Sequence, residues 1–107
     1  MNNIKLVFIC GPYRAKTAWK REQNVRKAED KAAEIARAGM FPVCPHSNTR
    51  PYFESIQDDG FWLDGTLELM RRCDAIALVD GWKNSIGALT ELNEGLYLKK
   101  EIIGEKQ

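Results

Sequence analysis

Two short runs, IKLVFIC at residues 4–10 and DAIALVD at 74–80, are apolar at almost every position. A strand covered on one face alternates apolar and polar side chains, so a near-continuous apolar run of this length reads as a strand buried on both faces. Such strands belong to parallel sheets with helices packed above and below. The rest of the pattern agrees. Between about Thr17 and Ala38, the residues Val25, Ala28, Ala32 and Ile35 recur three or four apart among Lys, Arg and Glu, and Gly39 supplies a helix stop. MFPVC, residues 40–44, is a second short strand; Pro42 has no N–H to give a ladder, which predicts an edge position. Residues 45–60, with two prolines and several turn formers, read as a long loop of the kind that carries function. Residues 61–72 predict a helix with Leu63, Leu67 and Met70 on one face and Arg71 and Arg72 in its last turn. A further helix over 84–95 and a fourth strand around 101–103 complete the chain. Strands alternating with helices predict one small open α/β domain over residues 1–107, about four parallel strands flanked by helices.

Charge narrows the classes of partner. The net charge is +1 and the pI about 7.7, so there is no basic surplus for a nucleic-acid polymer or an anionic membrane. No apolar run approaches the roughly 18 residues of a membrane span. Met1, Asn2 and Asn3 run straight into the first strand pattern, without the features of a signal peptide. Three cysteines, an odd number scattered along the chain, suit reduced thiols and predict a cytoplasmic protein.

Open parallel sheets bind ligands beyond the carboxyl ends of their strands. Here that edge carries Cys10, Gly11, Pro12, Tyr13 and Arg14 after the first strand and Pro45, His46, Ser47 and Asn48 after the second. Asp80, Gly81, Trp82, Lys83, Asn84 and Ser85 follow the third. CGPYRA is not a GxGxxG fingerprint and no GxxxxGK[ST] occurs, so dinucleotide and Walker-type readings have no support. Cys44 and His46 make at most half of a zinc site, and Cys10 and Cys73 offer no CxxC partner. A flavin site should have a Ser- and Thr-rich loop after the first strand, where this chain has Gly-Pro-Tyr-Arg. No cofactor or metal is expected.

The helix NSIGALTELNEG raises a sharper question. Its stripe at every fourth position is Gly87, Glu91, Gly95, although glycine in a helix costs about 1 kcal/mol against alanine. A cap at Asn84-Ser85 followed by Gly87 would expose backbone N–H groups at the positive end of the helix dipole, a site suited to phosphate or to nothing more than an ordinary N-cap. Arg14 could supply a charge partner from the first loop. The flattened face lets something approach Glu91, a carboxylate placed to attack or stabilise an anomeric carbon.

Taken together, CGPYR, CPHSNT, WLDGTLELMRRCDAIALVDGW and SIGALTEL resemble the nucleoside 2-deoxyribosyltransferase superfamily, most closely the DUF4406 group of short bacterial and phage proteins. The resemblance spans about Ile4 to Ile103 and implies a flavodoxin-like or Rossmann-like three-layer fold. It also implies N-glycosidic cleavage or deoxyribosyl transfer on a nucleoside or its 5′-monophosphate. A glutamate attacks C1′, and water or a second base resolves the glycosyl intermediate with retention, as in retaining glycosidases. By its Ser-x-Gly-x-x-x-Glu run the resemblance assigns Glu91 as nucleophile and Ser85 and Gly87 to phosphate. Gly11 and Arg14 match the family's first loop, and Tyr13, expected to be catalytic with Glu91, is similar to an aromatic that the transferases place beside the ring or the glutamate. Tyr13, Trp82 and His46 would border sugar and base, with Asp80 among the substrate-binding residues. Related proteins form dimers or larger assemblies, so a homo-oligomer is expected. One position departs from the family. Where active members carry an aspartate eight residues before the one opening the third strand, this chain has Thr66. Asp64 lies about 200° around a helix from it, and His46 is the remaining candidate for the missing acid. Thr66 therefore keeps a second reading open, a non-catalytic nucleotide-binding protein on the same fold.

Overall fold

The computed structural model describes residues 3–49 and 56–104. The order is β1 (Leu6–Cys10), α1 (Ala18–Arg37), β2 (Phe41–Val43), α2 (Pro45–Thr49), α3 (Asp59–Arg71), β3 (Ala75–Leu78), α4 (Ile86–Tyr97) and β4 (Glu101–Ile103), with a 3₁₀ turn at Trp82–Asn84 before α4. All neighbouring strands are parallel and the sheet order is β2-β1-β3-β4.

That order fixes where the helices go. Parallel crossovers are right-handed, so a connection running one way along the sheet and one running the other way land on opposite faces. α1 joins β1 to β2 in one direction; α3 and α4 return through β3 to β4 in the other. The core divides accordingly, with successive residues of each strand facing opposite ways. Phe8, Cys10, Ile76 and Leu78 pack with Met70, Ala88 and Leu92 from α3 and α4. Val7, Ile9, Ala75, Ala77 and Val79 pack with Ala28 and Ile35 of α1. The chain is thus a three-layer α/β domain, and its strand order reverses between β1 and β3, where a ligand crevice is expected.

Polar groups set the joints. Thr17 caps α1 by accepting from Lys20 N at 3.1 Å, and Gly39 ends it with φ 88°, a left-handed conformation that glycine adopts without strain. Asp74 exchanges two bonds with Leu6: its N–H donates to the Leu6 carbonyl at 2.8 Å, and its Oδ2 accepts from Leu6 N at 2.8 Å. This pins the register of β3 on β1. Lys100 Nζ donates to the carbonyls of Arg71 and Cys73 at 2.8 and 2.7 Å, where α3 ends.

Pro42 sits in an edge strand, as its missing N–H requires. The expected strands over 40–44 and 74–80 are shorter in the structure, at three and four residues. The long loop over 45–60 is not one loop. Residues 45–49 form α2, and α3 starts at Asp59 because Asp58 caps it, accepting from Phe61 N at 2.9 Å. Residues 50–55 of that stretch lie outside the described part of the chain.

Candidate active site

A cavity of about 480 Å³ opens at the reversal of strand order, a volume typical of small-molecule sites. The loop after β1 contributes Gly11, Pro12, Tyr13 and Arg14, and α2 contributes Pro45 and His46. The start of α4 brings Asn84, Ser85, Ile86, Gly87, Ala88 and Glu91. α3 forms the remaining wall with Asp59, Trp62, Leu63 and Thr66.

The first loop is held from behind by α1. Asn24 donates to the Tyr13 carbonyl at 3.1 Å and Arg21 to the Ala15 carbonyl at 3.0 Å. Gly11 is buried at the closest approach of two strand ends, where a Cβ would lie 2.6 Å from that of Val79. Its need for glycine is therefore met inside the fold. Gly87 differs: a Cβ there would find only Ser85 Oγ, 3.9 Å away, on the cavity side of the helix. Ser85 is the N-cap of α4, its Oγ accepting from Ala88 N at 3.1 Å. Gly95, the last member of the stripe, faces the sheet, where a Cβ would overlap the Ile76 side chain.

Glu91 is 8% exposed, among the few buried charged groups of the described residues. Cys10 Sγ lies 3.6 Å from its Oε1, and the Thr66 hydroxyl stands on the same side of the cavity beside the carboxyl group. Burial raises its pKa to about 7, while the bonds from Thr66 and Cys10 act in the opposite sense. The group therefore divides between acid and carboxylate near neutrality. Burial, reinforced by the neighbouring Glu91 charge, pushes the Cys10 thiol above its ordinary range and keeps it protonated.

His46 is 6% exposed, with its Nε2 2.9 Å from the Pro12 carbonyl and its ring edge-on to Tyr13, centroids 5.8 Å apart. A carbonyl only accepts, so Nε2 carries the proton and Nδ1 is left as an acceptor without a partner among the described residues. Burial lowers its pKa, with the Pro12 and Gly11 carbonyls opposing. A neutral ring whose one proton is committed to backbone is a poor general acid. His46 instead ties α2 to the first loop.

At the rim, Arg14 pairs with Asp59 at 2.5 Å, both side chains well exposed. Asp64 is exposed and does not line the cavity, while Thr66 does. Asp80 and Trp82 do not line it either. They line a second cavity with Lys31, Leu78, Lys83 and Gly104, and the chain between them passes through Gly81, with φ 95°. Asp59, Trp62, Leu63 and Thr66 come from a helix wall, which the rule of strand ends does not reveal. Among the described residues no group of three or more His, Cys, Asp and Glu side chains could hold a metal ion, and the cysteines are free.

The fold is similar to that of a 2-desoxiribosyltransferase from Leishmania mexicana, with a TM-score of 0.64 at 18% identity over 92% of this chain and 61% of that one. At that identity the likeness is one of fold. The chain spans about three fifths of the length of that structure. No curated protein matches the sequence. A family model described as a domain of unknown function (DUF7768) matches residues 5–103, and the chain belongs to that family. The family whose model matches is therefore DUF7768 and not the DUF4406 group that the sequence motifs suggest. No helix among the described residues is long and apolar enough to cross a membrane.

Proposed function

We propose that the protein cleaves or transfers the N-glycosidic bond of a nucleoside or its 5′-monophosphate by a retaining mechanism, with Glu91 as nucleophile. The observation that carries this reading is a buried carboxyl at the inner wall of the cavity, one helical turn beyond an open glycine at the start of α4. A carboxylate withdrawn from water attacks a developing oxocarbenium carbon without first shedding a hydration shell. It forms an ester to C1′ as the base departs; water or a second base then displaces it from the opposite side. Gly87 leaves room for the sugar. Tyr13 and Trp62 offer flat apolar surface to sugar and base, and Ser85, Gly87 and Arg14 form the end suited to a 5′-phosphate, with Arg14 exchanging Asp59 for the ligand. Gly11 and His46 shape the loops around them. The proposal includes a homo-oligomer as the working unit, checked by light scattering on the purified protein.

The test is chromatographic. Purified protein is incubated with deoxynucleosides and their 5′-monophosphates, beside Glu91→Ala. Wild type releases free base, and the variant is slower by on the order of 10⁴-fold. Full activity in Glu91→Ala overturns the assignment.

Thr66 favours a second reading. No carboxylate stands at its place on α3, and leaving-group protonation by such a group is worth about 10²–10⁴-fold. A nucleotide-binding protein without chemistry would release no base at all, and Glu91→Gln would bind nucleotide as well as wild type does.

A further inference from the structure

Glu91 is enclosed by two side chains that each carry a single transferable hydrogen and have two acceptors within reach. Cys10 Sγ, at the end of β1, lies 3.4 Å from the Ala88 carbonyl and 3.6 Å from Glu91 Oε1. Thr66 Oγ1, on α3, donates to the Leu63 carbonyl at 3.0 Å; it lines the cavity beside Glu91, near enough for its hydroxyl to lower the pKa of that carboxyl group. One hydrogen cannot serve both acceptors at once. When Glu91 is protonated it can itself donate to the Thr66 oxygen, leaving that hydroxyl on Leu63 and the thiol on Ala88. When Glu91 is ionised it can only accept. A rotation about one bond then turns either hydrogen onto the carboxylate, at the expense of a neutral bond to backbone and to the gain of a charge-assisted one.

We infer that Cys10 and Thr66 are positioning residues for Glu91, two donors that rest on backbone carbonyls while the carboxyl group is protonated and swing onto it when it ionises. They hold the carboxylate in place and replace part of the water it has lost. Among the described residues, the other titratable or charged groups that share the cavity with it are Tyr13 and Arg14 from the first loop, His46 from α2, and Asp59, paired with Arg14, from α3. On α4 itself Glu94 pairs with Arg71 at 2.9 Å. Among the described residues Cys10 and Thr66 are therefore the side-chain donors that stand beside the Glu91 carboxyl group.

The inference deepens the proposed function, but its first readout does not depend on catalysis. Titration of isotope-labelled glutamate carboxyl signals by NMR, with Glu91→Gln to assign the resonance, gives the ionisation midpoint of Glu91. Thr66→Val keeps the shape and removes the hydroxyl, and should raise that midpoint by about one pH unit. Cys10→Ala should raise it by about half a unit, since a thiol is a weak donor. Thr66→Ser restores the hydroxyl and should return the midpoint towards wild type, which loss of packing alone would not do. Midpoints unmoved or lowered in both Thr66→Val and Cys10→Ala overturn the inference. In the base-release assay, the acid limb of the pH profile should follow the same order. Absence of base release in wild type with the midpoints moving as stated would refute the chemistry and leave the two donors standing.

Discussion

Gly87 and Gly95 occupy the same stripe of one helix, eight residues apart, and are glycine for opposite reasons. At Gly95 the helix presses on the sheet and Ile76 occupies the space a methyl would need. At Gly87 the space is open and belongs to the cavity. Glu91, between them, stands at the boundary between packing and site, near enough to the core to be dehydrated and near enough to the cavity to be reached. A stripe that reads in the sequence as one flattened face is two surfaces meeting at a carboxyl group.

The largest effect that probes this boundary is electrostatic. The folded pKa of Glu91, about 7, stands above its ordinary 4.5, so the folded state retains a proton that the unfolded chain has already lost. The stability linked to that proton is complete below pH 4.5 and disappears as pH rises through 7. Glu91→Gln has no such proton. Chemical denaturation should show it gaining on wild type by about 3 kcal/mol between pH 4 and pH 8. A constant difference over that range would mean Glu91 is effectively solvated, and the contrast between the two ends of the stripe would collapse.

The next effect is steric. Gly95→Ala should lose a net 1–2 kcal/mol or so in denaturant unfolding, because overpacking against Ile76 outweighs the gain of about 1 kcal/mol in helix propensity. The smallest effect on stability carries the clearest contrast. Gly87→Ala should be neutral or more stable by up to about 1 kcal/mol, yet slow base release by about tenfold to 100-fold, because the methyl enters the space assigned to the sugar. If both variants lose stability alike, Gly87 is a packing glycine too.

What the sequence makes legible follows from which forces are local. β1 and β3 are apolar on both faces, so burial in a covered parallel sheet is written into consecutive residues, and Pro42 states its own edge position. Gly39 likewise marks its helix end. α2 escaped because five residues of PHSNT satisfy turn chemistry as readily as one helical turn, and their conformation depends on His46 reaching Pro12, a contact 34 residues away in the chain. That Glu91 and the loop after β1 line one cavity was readable, because strand ends and glycine stripes carry positional meaning. Asp80 and Trp82 share the same edge, yet they line the other cavity, a difference that strand-end position alone does not carry. From α3 only Thr66 stands out in the sequence, through the family resemblance; Trp62 and Leu63 look like part of any amphipathic helix until α3 is laid beside α4. The contact of Cys10 with Glu91 spans 81 residues and has no local signature.

The rim of the cavity carries an ion pair. Arg14 and Asp59 reach across it from the first loop and from α3, each more than half exposed to solvent. A pair in that setting is screened as ionic strength rises, with a Debye length near 10 Å at 0.1 M. In the proposed function, where Arg14 exchanges Asp59 for a phosphate, added salt therefore weakens both the pair and the contact that replaces it.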